Sequence, residues 1–166
     1  MDARSENEPV KNPTTSGRTS DRELVVNRTF NGPVHLVFEA WTRPELFARW
    51  WVPKSIGLSL ISCEMDVRVG GRYRLVFDMN GAVLEVFGTY IEVTPHSRLV
   101  WTNEEGEEGG AITTVTFEGR GDKTLLVMRE RYPSKEALDE SFIGMEGGTP
   151  EQFAQLDELL ETLARA

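Results

Sequence analysis

Six short runs of strand-forming residues follow one another between Ile61 and Tyr132, each cut off from the next by residues that turn the chain. The runs cover residues 61–69, 72–79, 83–93, 98–102, 111–118 and 124–132. Between them stand Gly70-Gly71, Asn80-Gly81, Thr94-Pro95, an acidic loop from Asn103 to Gly110, and Gly119-Arg120-Gly121-Asp122. Gly and Asn supply positive φ and Pro a fixed φ, so each separator reads as a turn or loop. Connections this short join antiparallel neighbours, because a parallel pair needs a crossover of a dozen or more residues. A further strand is expected over residues 23–30, where Leu24, Val25, Val26 and Phe30 precede the turn residues Asn31-Gly32-Pro33. The expected sheet therefore has seven strands.

The hydrophobic period changes after Pro33. Val34, Val37, Phe38 and Trp41 fall on one face of a helix that Pro33 opens. Thr42-Arg43-Pro44-Glu45 has the spacing of a capping box and predicts a second short helix. Ser134 caps a helix to about Phe142, the glycines from Gly144 to Gly148 predict a break, and Thr149-Pro150-Glu151-Gln152 predicts a restart. From there Phe153, Leu156, Leu159, Leu160 and Leu163 form an apolar stripe that must lie on the sheet. The expected class is α+β: strand, two short helices, six strands and a closing helix, with one curved antiparallel sheet gripping that helix. Beyond the initial Met1, residues 1 to about 20 hold Val10 as their one sizeable apolar side chain, so they are expected to form a disordered tail ahead of a single domain at 21–166.

A net charge of -9, from 27 acidic and 18 basic residues, repels phosphate backbones. Nucleic acid and anionic membrane are not expected as partners. Cys63 is the sole cysteine, which removes an internal disulfide and any zinc site built on several thiolates. Together with His35 and His96, set apart on a helix and in a turn, this leaves no expected metal site or cofactor. The N-terminus has no apolar leader and no run is long enough to span a bilayer, so a cytoplasmic protein without membrane insertion is expected.

Several separated motifs occur in a familiar order: Val37-Phe38-x-Ala40-Trp41-Thr42-x-Pro44-Glu45, Arg49-Trp50-Trp51-x-Pro53, Asp66-x-Arg68-x-Gly70-Gly71-Arg72-Tyr73, Phe87-Gly88-x-Tyr90 and Arg98-Leu99-Val100. Over roughly residues 22 to 165 the chain resembles the Hsp90-ATPase-activator-homologue family. That family lies within the helix-grip superfamily of START and Bet v 1-like (SRPBCC) proteins. The resemblance implies a helix-grip fold with a cavity between the sheet and the C-terminal helix, suited to a small hydrophobic molecule. Members of the superfamily carry lipids, sterols, plant phenolics or polyketides, and some catalyse cyclisation. The family name comes from a co-chaperone whose related domain sits behind an Hsp90-binding domain. The present sequence shows no such partner domain, so an Hsp90-type chaperone is not an expected partner.

Three of the four tryptophans fall within eleven residues, where Trp41, Phe47, Trp50 and Trp51 either roof a pocket or pack the short helices onto the sheet. Adjacent Trp50 and Trp51 cannot face the same way on a helix, so one is expected inward and the other at the rim. Asp66 and Arg68, two apart on an expected strand, either orient a polar ligand group or act in proton transfer, or else belong to a cross-strand ion pair or a solvated face. Alternation turns Tyr73, Leu75, Phe77 and Met79 inward, and Leu99, Trp101, Val115 and Phe117 follow on later strands. Both faces of residues 87–93 carry apolar side chains, which leaves that strand's orientation open.

The leading expectation is a binding protein for a small hydrophobic, aromatic or lipid-like ligand. Its site would comprise Trp41, Phe47, Trp50, Trp51, Tyr73, Phe77, Trp101, Phe117 and Phe153, with Asp66 or Arg68 giving direction. A second reading is catalysis of cyclase, dehydratase or hydrolase type by a cavity carboxylate from Glu64, Asp66, Glu85 or Glu130. A third is a protein-interaction module with an exposed indole patch as its interface. A homodimer stays open.

Overall fold

The computed structural model describes residues 14–104 and 110–165. Its elements in chain order are strands β1 (Thr15–Arg18) and β2 (Glu23–Phe30), helices α1 (Val34–Thr42) and α2 (Pro44–Trp50), six strands, and helix α3 (Lys135–Arg165). The six strands are β3 (Ser59–Met65), β4 (Arg72–Met79), β5 (Ala82–Thr94), β6 (Arg98–Thr102), β7 (Ile112–Arg120) and β8 (Lys123–Arg131). All pair antiparallel in the order β1-β2-β8-β7-β6-β5-β4-β3. The α+β architecture with its closing helix is as the sequence predicts.

The sheet has eight strands instead of seven. The added one, Thr15-Ser16-Gly17-Arg18, lies in the segment expected to be disordered and is wholly exposed. It buries nothing that periodicity would register. Backbone pairing with residues 24–27, a Thr15–Asn27 side-chain bond of 2.7 Å and an Arg18–Asp139 ion pair of 2.6 Å hold it. Residues 1–13, the rest of the expected tail, lie outside the described residues.

Three local expectations are also corrected. Strand β3 stops at Met65, so Asp66 and Arg68 sit in a turn. Gly71 explains the early stop, since a Cβ there would lie 1.9 Å from the Asp66 carbonyl oxygen. Instead of capping α2, Thr42 ends α1 and donates its hydroxyl proton to the Phe38 carbonyl, while Arg43 takes the N-cap position without a side-chain bond to the helix's backbone amides. Helix α3 runs unbroken through Gly144, Gly147, Gly148 and Pro150. Leu138 before the glycines and Thr149, Phe153 and Leu156 after them are all buried, and such anchoring of both halves outweighs weak local propensity.

The core lies on the concave face. Leu24, Val26 and Phe30 of β2 and Leu126 and Met128 of β8 meet Phe153, Leu156, Leu159 and Leu160 of α3 there. Arg28 shares that face, 8% exposed, and pairs with Asp157 of α3 at 2.6 Å. A bulge between Tyr90 and Glu92 shifts the pleat, so Gly88 and Tyr90 face inward before it and Val93 after it. That shift is why residues 87–93 carry apolar side chains on both faces.

Candidate ligand-binding site

Helices α1 and α2 bring the aromatic residues together around Trp41. Its ring centroid lies 4.8 Å from that of Trp50, 5.9 Å from Trp101, 6.0 Å from Trp51 and 6.2 Å from Phe117. Phe47 stacks on Trp51 at 4.6 Å. Most of these contacts are edge-to-face, the geometry that the ring quadrupole favours. Trp50 is fully buried and donates its indole N–H to the Ala40 carbonyl at 2.9 Å, whereas Trp51 is half-buried at the rim. The inward and rim positions expected for this pair are thus assigned.

Packing of these large rings leaves a cavity of about 200 Å³. Trp41, Phe47 and Trp51 wall it on the helical side. The sheet wall comes from Met65, Tyr73, Leu75, Phe77, Val86, Tyr90 and Trp101, with Asn103 at the end of β6. No described side chain of α3 lines it, and the described walls are the α1–α2 aromatics and the β3–β6 half of the sheet. The described apolar stripe of α3 packs flush on the other half.

Of the predicted site residues, Trp41, Phe47, Trp51, Tyr73, Phe77 and Trp101 line the cavity. Trp50, Phe117 and Phe153 do not. They are buried against Trp41 and support the wall from behind, with the Phe153 ring 6.3 Å from that of Trp41. Asp66 and Arg68 are also outside it, exposed in their turn and paired with each other at 2.9 Å. Met65, Leu75, Val86, Tyr90 and Asn103 are additional lining residues. The β5 bulge hid Tyr90, and Asn103 reads in sequence as the first residue of a loop.

The polar groups of this region form a connected file. The Tyr73 hydroxyl lies 2.8 Å from the Thr102 carbonyl oxygen and 3.1 Å from Asn103 Oδ1. Asn103 Nδ2 donates to the Ala111 carbonyl at 2.8 Å and to Thr113 Oγ1 at 3.0 Å. Thr113 in turn donates to Glu130 Oε2 at 3.1 Å, and the Tyr132 hydroxyl is 3.4 Å from Glu130 Oε1. Desolvation raises the Glu130 carboxyl above its ordinary range, against the opposing effect of the bonds from Thr113 and Tyr132. Burial raises the Tyr90 phenol and pushes the Cys63 thiol up to about 11, so Cys63 stays protonated at neutral pH. The Trp41 indole nitrogen is buried without a hydrogen-bond partner among the described residues.

Three of the four candidate acids leave the catalytic reading. Glu64 and Glu85 both pair with Arg74 on the outer face, at 3.7 and 2.7 Å, and Asp66 pairs with Arg68. Glu130 faces inward, yet it does not line the cavity. Among the described residues the indoles form no exposed patch of the kind an interaction module would present, since Trp41, Trp50 and Trp101 are buried and Trp51 is half-buried.

Helix α3 supports the rim through polar side chains that periodicity does not single out. Gln155 Nε2 donates to the carbonyls of Trp50 and Val52 at 2.9 and 2.8 Å, and its Oε1 accepts from the Lys54 amide at 2.9 Å. Gln152 donates to the Trp51 carbonyl, and Glu151 accepts from the Ser55 amide at 3.0 Å. These bonds satisfy backbone groups that the end of α2 leaves open and fix the segment carrying Trp51.

The family model described as Activator of Hsp90 ATPase homolog 1-like protein matches residues 31–161. The chain belongs to this family. Solved structures agree in fold. A Rhodobacter sphaeroides protein of 24% identity has a TM-score of 0.82, covering 90% of this chain and 99% of its own. A Nitrosomonas europaea protein of 25% identity has a TM-score of 0.79, covering 89% and 99%. A Mycobacterium smegmatis protein of 21% identity has a TM-score of 0.76, covering 91% and 99%. No curated protein matches the sequence. Among the described residues no helix is long and apolar enough to cross a membrane.

Proposed function

We propose that this member of the family binds one small, largely apolar molecule between the α1–α2 aromatics and the β3–β6 half of the sheet. The single observation that carries the reading is the cavity of about 200 Å³ lined by Trp41, Phe47, Trp51, Tyr73, Phe77 and Trp101. A wall of this kind binds by removing ligand surface from water, at roughly 25 cal/mol per Å² of apolar area. Its size falls below the roughly 300–1,000 Å³ of drug-sized pockets, which favours a one- or two-ring molecule over a sterol or a long acyl chain. Titration of tryptophan fluorescence with one- and two-ring aromatics, sterols and fatty acids tests this. The expected result is saturable one-to-one binding of the small aromatics and none of the larger molecules. An unsaturable response to every compound refutes it.

A further inference from the structure

We infer that the Asn103 end of the cavity is an acceptor site that selects ligands carrying a neutral hydroxyl or N–H donor, with Asn103 Oδ1 as the recognising atom. Glu130 is its positioning residue. The inference rests on the binding function proposed above and adds the chemical class that the site takes.

The direction of the Asn103 amide is set by its surroundings. Both Nδ2 protons are engaged, one by the Ala111 carbonyl at 2.8 Å and one by Thr113 Oγ1 at 3.0 Å, and neither residue lines the cavity. Turning the amide over would place Oδ1 against the Ala111 carbonyl oxygen, two acceptors in contact without a proton. Having accepted from Asn103, the Thr113 hydroxyl gives its own proton to Glu130 Oε2. Glu130 stands directly across the β7–β8 ladder from Thr113. Among the described residues no basic side chain forms an ion pair with Glu130, so its oxygens remain acceptors for neutral donors. The file therefore runs one way, from Asn103 through Thr113 to Glu130, and it leaves Oδ1 as the amide atom turned from these partners.

At that atom the count of protons falls short of the count of acceptors. The Tyr73 hydroxyl has one proton and faces two oxygens, Thr102 O at 2.8 Å and Asn103 Oδ1 at 3.1 Å. Whichever oxygen takes it, the other keeps a lone pair that this hydroxyl does not satisfy. Both Tyr73 and Asn103 line a cavity whose other walls are largely carbon. Both contacts are part-buried and each carbonyl oxygen keeps a spare lone pair, so a ligand that brings a proton gains a hydrogen bond at this end and an ether of the same shape does not. Among the described residues nothing charged lines the cavity, which favours a neutral hydroxyl or N–H over an ammonium group.

The test compares three probes of one skeleton, 2-naphthol, 2-methoxynaphthalene and naphthalene, by isothermal titration calorimetry on the full chain. The wild type is expected to bind 2-naphthol about tenfold more tightly than 2-methoxynaphthalene. Asn103→Leu should bind the two equally while retaining naphthalene. Glu130→Leu should lose the preference although its side chain is off the cavity wall, and Glu130→Gln should keep it, because the amide oxygen still accepts the Thr113 proton. Thr113→Val breaks the same file and reports on it if Glu130→Leu does not fold. Equal affinities in the wild type overturn the inference and leave the apolar cavity standing. No saturable binding of any probe overturns both. An unchanged preference in Glu130→Leu and Thr113→Val overturns the role given to Glu130.

Discussion

Replacing Gln155 with leucine keeps the volume of a buried side chain and removes three hydrogen bonds between α3 and residues 50–54. The Trp50 carbonyl is buried at this bond and would be left without its partner, at a cost of about 1–3 kcal/mol. The Val52 carbonyl and the Lys54 amide are partly exposed and regain water, so their loss adds about 0.5 kcal/mol each. Leucine's apolar surface recovers part of this, which leaves a net destabilisation of about 2–3 kcal/mol. Urea unfolding followed by far-ultraviolet circular dichroism measures it without relying on the tryptophans that the substitution disturbs. Gln155→Glu provides the chemical control. A carboxylate there faces two carbonyl oxygens, so its folded pKa rises above the unfolded one and its stability falls as pH rises through that window. Gln155→Glu should therefore lie nearer the wild type at pH 5 than at pH 8, while Gln155→Leu is equally destabilised at both. A loss below about 0.5 kcal/mol for Gln155→Leu, or no pH dependence in Gln155→Glu, would refute the clamp.

Glu130→Gln should stabilise the protein at neutral pH, because the raised folded pKa of Glu130 means that stability is lost as pH climbs above the unfolded carboxyl value. Thermal unfolding from pH 4 to pH 8 should show the gap closing at the acidic end. Asp157→Ala strands Arg28, 8% exposed and with Thr14 as its other bonded partner, and should cost about 3 kcal/mol in urea titrations. Arg28→Met should cost less, because Asp157 is more exposed and still accepts the Asn31 amide at 3.2 Å. Gly71→Ala should destabilise more than Gly81→Ala in the same assay, since its Cβ meets backbone at 1.9 Å whereas Gly81 has open space, although a positive φ of 92° strains the latter.

Periodicity made most of this fold legible. Leu24, Val26 and Phe30, then Tyr73, Leu75 and Phe77, alternate as strands with one buried face must, and all six are buried. Interactions that leave no hydrophobic trace escaped it. Strand β1 is held by backbone pairing and a few polar bonds, and the unbroken α3 by contacts far away in sequence. The site was legible where it is aromatic: Trp41, Phe47, Trp51, Tyr73, Phe77 and Trp101 were foreseen. Of its polar end only Glu130 stands out in the sequence, as a candidate acid; its link to Asn103 and Thr113 does not, because the three are 10 and 17 residues apart and meet only through strand pairing. Asp66 and Arg68 misled for the opposite reason. Their spacing suits one face of a strand, yet a glycine that must approach the Asp66 carbonyl ends the strand before them.

The aromatic-lined cavity is tested most directly by the indole N–H resonances of the four tryptophans during titration with 2-naphthol. Binding should move Trp41, Trp51 and Trp101 along saturable one-to-one curves. Trp50, behind the wall and bonded to Ala40, should move least. Unchanged indole signals at millimolar probe, or shifts that grow linearly without saturating, would contradict the account.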